Sequence, residues 1–136
     1  MQYTEKLESY TPYALAVLRI VTALIFMEHG TQKLFGFPAP PKSGLPPAFS
    51  LFWIGAIMEF GGGILILLGF LTRPVAFLLA GEMAVAYWAF HAPRDFYPAL
   101  NGGDAAILYC FVFLLLVVTG PGAWSIDGAR SARRSM

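Results

Sequence analysis

The sequence predicts an all-α integral membrane protein, a four-helix bundle forming one domain over residues 1–136. Three observations predict it. The chain is 57% hydrophobic and 12% charged, against a charged share of roughly 25% in soluble domains. A small soluble domain has a large surface to cover with polar groups, and this composition supplies few. Four apolar segments, at about 12–35, 50–71, 73–91 and 104–119, each approach the ~20 residues that cross a ~30 Å hydrocarbon core. Finally, Phe60 to Phe70 and Ala105 to Val118 carry no polar face at helical spacing, which a soluble amphipathic helix would need.

The first segment, Pro12 to Phe35, follows Glu5, Lys6 and Glu8 rather than a basic leader, with no small-residue cleavage site after it. It is therefore expected to stay in the mature protein. Arg19 and Glu28 interrupt it. Prolines 38, 40, 41, 46 and 47 make the next stretch a stiff, extended loop. The second segment carries Gly55, Gly62 and Gly69 at seven-residue spacing, with Glu59 between them. Small residues in such a stripe let helices approach closely, so Glu59 is expected to face the bundle interior. Leu71-Thr72-Arg73-Pro74 reads as a tight turn, with Thr72 as cap and Pro74 in the first turn of the third helix. The second and third helices are thus antiparallel neighbours. Glu82 sits at the middle of the third segment, on a face expected to include Ala86 and Ala89. Gly102-Gly103 breaks the chain, Asp104 is the expected cap of the fourth helix, and Gly120-Pro121-Gly122 ends it. That helix is short and needs Trp124 near the interface to complete it.

Four spans put both termini on one side. Lys6, Arg73, Arg130, Arg133 and Arg134 lie there, against Lys33, Lys42 and Arg94 opposite. Five against three predicts cytoplasmic termini. The net charge of +1 and the absence of any long basic run argue against nucleic acid. The C-terminal arginines read as a headgroup contact or a cytoplasmic retention signal. One cysteine, Cys110, permits neither an internal disulfide nor a Cys-x-x-Cys motif. It reads as a buried, inert thiol.

Ionisable groups in a bilayer cost about 2.5–3.5 kcal/mol each on insertion scales and need a partner or a purpose. The candidates are Arg19, Glu28, His29, Lys33, Glu59, Glu82 and His91. At ~1.5 Å rise per residue, Arg19 lies ~10 Å and Glu82 ~13 Å from the termini side, which suggests a buried Arg19–Glu82 ion pair. Glu59 lies ~13 Å from the other side, with Glu28, His29 and His91 nearer that boundary. Together these groups outline a polar track from mid-membrane to the outer face. Arg19 and Glu28, nine apart, face opposite ways on a straight helix. Either the helix breaks at Gly30, a second subunit covers one face, or Glu28 reaches interfacial water. A purely structural role is also open: the charges could fix helix register, and His29 and His91 could be interfacial. No metal site is expected, for want of a histidine pair at ligand spacing.

These pieces form a pattern. His29-Gly30 with Lys33 and Leu34-Phe35-Gly36 end the first segment, and Glu59 precedes Gly61-Gly62-Gly63. Leu71-Thr72-Arg73, Glu82 and Gly102-Gly103 follow. Gly120-Pro121-Gly122-Ala123-Trp124-Ser125-Ile126-Asp127 closes the series. Over nearly its whole length the chain resembles the DoxX family of small bacterial membrane proteins. The resemblance implies a multi-pass inner-membrane protein linked to oxidoreductase systems. Founding relatives resemble subunits of a thiosulfate:quinone oxidoreductase, and others associate with redox-defence enzymes. The chain itself has no soluble second subunit and no Gly-x-Gly-x-x-Gly fingerprint.

Three functions follow as expectations. In a quinone-linked oxidoreductase subunit, Glu59, Glu82 and His29 would be catalytic, while Glu28, Lys33, Arg19 and His91 would contact the cofactor. Phe26, Trp53, Phe60 and Trp88 could line such a pocket. In a non-catalytic membrane anchor, the proline-rich loop and residues 124–127 would hold a redox or stress-response partner. In a transporter, a homo-oligomer would carry a small molecule or protons along the polar track.

Overall fold

A computed structural model describes residues 2–136. The elements in order are α1 (Gln2–Glu8), α2 (Thr11–Phe35), α3 (Leu51–Leu68), α4 (Thr72–Ala86) with a π turn (Tyr87–His91), α5 (Pro98–Asn101), α6 (Asp104–Thr119) and α7 (Ile126–Arg134). No strand occurs among the described residues. Helices α2, α3, α4 and α6 form the bundle and alternate in direction. The proline-rich loop and residues 92–103 lie at one end, the loop side. The termini, the 69–71 turn and α7 lie at the other, the termini side.

The helices are long where the apolar runs are long. The segments Tyr3–Phe35, Leu51–Leu68 and Thr72–His91 are long and apolar enough to cross a membrane, and α6 is a shorter apolar helix. Ser50 caps α3 by accepting a hydrogen bond from the Trp53 amide at 3.3 Å, and Gly69 ends it in the left-handed region at φ 63°. The 25-residue α2 outruns the 18-residue α3 by roughly 10 Å at 1.5 Å per residue. Its N-terminal turns therefore project past α3 on the termini side, where the Ala123 amide bonds Pro12 O at 2.8 Å.

Packing divides the bundle into two tight pairs, α2 on α3 and α4 on α6. Gly30 and Gly63 allow the first pair. A Cβ on Gly30 would lie 2.7 Å from the Phe60 backbone nitrogen and 2.9 Å from Ala56 O. A Cβ on Gly63 would collide with Met27. Phe26, Phe113, Ile66, Leu79 and Leu116 fill the centre, with the Phe26 and Phe113 rings edge to face at 4.9 Å. Outside, Val17, Val21, Leu24, Phe77, Val85, Phe111 and Val118 are exposed. An apolar belt this extensive belongs against lipid rather than water, and the fold is an all-α membrane bundle.

Some local expectations need correction. Thr72 does not cap α4. Its hydroxyl is buried without a partner, and the cap comes from Asp127, 55 residues away. Asp104 is the first residue of α6 rather than its cap. The buried Asn101 side chain takes the Gly103 amide instead, at 2.7 Å. Ala89 is exposed rather than inward, because the π turn, with Ala92 N bonded to Tyr87 O at 2.9 Å, shifts the register. The buried stripe of α4 is Ala76, Leu79, Ala80 and Met83, with Glu82 at its flank.

Candidate functional site

On the termini side the charges are bound into the backbone. Arg19 is fully buried. Its Nε donates to Pro121 O at 2.8 Å, Nη1 to Ile66 O and Leu67 O at 3.0 and 2.6 Å, and Nη2 to Ala123 O and Trp124 O at 3.1 and 2.8 Å. All five N–H donors of the guanidinium are thereby used. They bind the Ile66 and Leu67 carbonyls at the end of α3 and fasten the 121–124 loop. Arg73 does the same for α6, donating to Val117 O and Val118 O at 2.6 Å each. Asp127 accepts from the Leu71 and Thr72 amides at 3.0 and 2.8 Å. Partial burial opposes its ionisation, but the amides and the neighbouring Arg130 outweigh that and hold its carboxyl below the usual range.

The anticipated Arg19–Glu82 pair is therefore absent. Arg19 sits level with Ile66 and Leu67, whereas Glu82 reaches α3 at Gly55, where a Cβ would stand 3.2 Å from Oε1. Eleven residues of α3 separate those levels by about 17 Å. Arg19 looked deeply placed because the overhang of α2 was not visible in sequence.

On the loop side the charges meet one another. Lys33, in the last turn of α2, donates from Nζ to both carboxylate oxygens of Glu59, at 2.7 and 2.8 Å. Among the described residues this is the one salt bridge. Glu59 is inward as expected, on the buried stripe of Ala56, Gly63 and Ile66. Gly55 and Gly62 flank that stripe toward α4, where a Cβ on Gly62 would lie 2.8 Å from Leu79 Cδ2. Glu82 approaches across the α3–α4 seam, and its Oε2 is buried with no hydrogen-bond partner.

These three side chains line a cleft of about 250 Å³ between α3 and α4. Its walls are otherwise apolar, including Phe52, Met58, Met83 and Phe90. Ile54 and Val85, both exposed, stand at its mouth, so it opens on the lipid-facing surface. A second cavity of about 420 Å³ lies under the proline-rich loop, lined by Gln32, Pro41, Pro46 and Ser50 among others. Lys33 and Phe52 line both spaces.

The remaining sequence candidates lie elsewhere. Glu28 and His29 are exposed on α2, and neither lines the cleft. The His29 ring meets Tyr109 edge-on at 5.9 Å. No break at Gly30 is needed, because α2 runs unbroken to Phe35 with Arg19 inward and Glu28 outward. His91 is half-buried beyond the cleft, with Nδ1 3.1 Å from Asn101 O. Among the described residues no group of histidine, cysteine or carboxylate side chains could hold a metal. Sequence reasoning missed the direct Lys33–Glu59 pair. The available signal was two opposite charges, both counted from the same membrane boundary.

The family model DoxX matches residues 14–92. An uncharacterized protein of Haemophilus influenzae is 42% identical over 89% of this chain and 93% of its own length. The inner membrane protein YqjF of Escherichia coli is 36% identical over 82% of this chain and 87% of its own. The inner membrane protein YphA of the same organism is 33% identical over 85% and 89%. No solved structure matches the chain.

Proposed function

The chain belongs to the DoxX family, and from that premise we propose that it is the quinone-binding membrane subunit of a bacterial inner-membrane oxidoreductase system. One observation carries the reading: an apolar cleft, open toward lipid, holds an ion pair and a carboxyl oxygen with no partner. Soluble substrates would not enter from that side. At about 250 Å³ the space is smaller than the ~300–1,000 Å³ typical of sites for whole ligands. It suits a single-ring headgroup whose isoprenoid tail stays in the bilayer.

A bound quinone would supply a two-electron, two-proton couple, with electrons delivered by a partner redox protein. The residues supply orientation and protons. Lys33 uses two of its three N–H donors on Glu59, leaving one for a ligand oxygen. Glu59 holds that ammonium in place. Glu82 presents Oε2 as the free acceptor, or as a donor when protonated. Phe52, Met58 and Phe90 make the cleft apolar and would pack against the ring. The inner-membrane location draws support from the relatives' names, and cytoplasmic termini from the arginines of α7.

Mass spectrometry of the protein in native-lipid nanodiscs tests the reading. Quinone should co-purify, and Glu59→Gln or Glu82→Gln should lower its occupancy about ten-fold, the loss of roughly 1.4 kcal/mol of binding. A folded protein that neither carries quinone nor takes it up when added overturns it. A second reading, a non-catalytic anchor, is favoured by the exposed Trp124 and the exposed arginines of α7. It predicts a constant protein partner whose recovery Glu59→Gln leaves unchanged. Transport has less support, since the cleft stops against the packed apolar core.

A further inference from the structure

We infer that the cleft exchanges protons with water on the loop side alone, through the Lys33–Glu59 pair. The inference rests on the reading of the cleft as a proton-exchanging site and adds its sidedness. Lys33 is the one charged side chain shared by the lipid-open cleft and the cavity under the proline-rich loop. Its side chain is 26% exposed, while that of Glu59 is 5% exposed. The ammonium thus stands at the boundary between loop-side space and buried space, and the carboxylate lies just inside it.

Each step balances. A proton passes from Lys33 Nζ to a Glu59 oxygen along a 2.7 Å contact, leaving a neutral amine and a neutral acid. Glu59 and Glu82 share no hydrogen bond, so the proton crosses the cleft between them on a water or ligand oxygen before reaching the carboxylate of Glu82, whose Oε2 is unpartnered. The amine then takes a proton from water in the loop-side cavity. The net change is one proton moved from loop-side water to Glu82, with no electron transferred. Run backward, the same chain releases protons on the same side.

The opposite direction is closed. Between Glu82 and the termini side, Ile66, Leu79, Phe113 and Leu116 form a layer with at most 2% exposure. Thr22, Thr72 and Tyr109 are polar side chains buried near that layer among the described residues, and none is charged. Below it, every Arg19 N–H is committed to a carbonyl. Glu28 and His29 face outward on α2 and do not line the cleft.

The test uses the full chain in oriented vesicles, one population with the loop side out and one with the termini out. The readout is the infrared band of protonated carboxyl groups after a pH jump outside the vesicle. Glu82→Gln identifies the contribution of Glu82. The band should respond promptly only in loop-out vesicles, and Lys33→Gln should slow that response by roughly a hundred-fold, the scale of losing a positioned proton carrier. A prompt response in termini-out vesicles, no response in either, or an unslowed Lys33→Gln overturns the inference. If Lys33→Gln does not fold, the two wild-type populations still decide it. Quinone occupancy is measured on the same vesicles. One-sided response without quinone sinks the cofactor reading and keeps the proton route; quinone with a two-sided response does the reverse.

Discussion

The two ends of this bundle treat their charged side chains in opposite ways. On the termini side, Arg19, Arg73 and Asp127 bind backbone groups at helix ends, and Arg19 has no donor left over. On the loop side, Lys33 and Glu59 bind side chain to side chain, and Glu82 keeps an oxygen unbonded. A saturated charge holds helices and has nothing to offer a ligand. An unsaturated buried carboxyl costs free energy and calls for a reason, such as a ligand or a proton it serves. The contrast teaches that ionisable residues in a membrane helix are sorted by the state of their hydrogen bonds, not by depth.

Arg19→Leu should break the contrast most severely. It removes the guanidinium from five carbonyls, of which, among the described residues, only Ile66 O keeps another backbone donor, Gly69 N. As with loss of one partner from a buried ionic contact, it should cost on the order of 3–5 kcal/mol, read by unfolding in detergent. Arg19→Lys should recover only part of it, because an ammonium cannot span the same fork of acceptors. If Arg19→Leu spares stability and removes quinone, the division between the two ends is wrong.

Gly30→Ala comes next. The added Cβ meets backbone rather than a movable side chain, so α2 must shift from α3. The expected cost is about 1–3 kcal/mol, and the shift should also loosen the Lys33–Glu59 pair one turn away.

Asp127→Asn should cost about 1 kcal/mol as a lost helix cap, with a pH signature. The folded carboxyl ionises below its usual range, so its stabilisation is complete above that range and disappears as pH falls through the lowered value. Melting temperature measured against pH should therefore drop more on acidification in the native protein than in the variant. Parallel curves would remove Asp127 from the saturated set.

Glu82→Gln sharpens the contrast with the smallest effect on stability, within about 0.5 kcal/mol, since no hydrogen bond to its Oε2 is lost. Quinone occupancy should nevertheless fall. A large loss of stability would make Glu82 a structural residue after all.

Much of the bundle was legible in advance. The apolar runs, the 71–74 turn and Gly120-Pro121-Gly122 are local signals, and the helices begin and end near them, whereas Gly69, expected within the packing stripe of the second helix, ends it instead. Glu59 was legible as inward from its neighbours on the helix. Asp127 as the cap of α4 was not, because its partners lie 55 and 56 residues away. Nor was the exposure of Ala89, because nothing in the local pattern announces the π turn at Tyr87–His91.

By itself the sequence determined the solvent. Runs of apolar residues without a polar face commit the chain to lipid and to helices, since backbone groups there must bond within their own segment. The tertiary structure decided which charges meet. Pairing depends on relative helix lengths and on how closely glycines let helices approach, and the overhang of α2 past α3 carried Arg19 to the carbonyls of the termini-side loop. Lys33, Glu59 and Glu82 come from three different helices, and only packing puts them on one cleft.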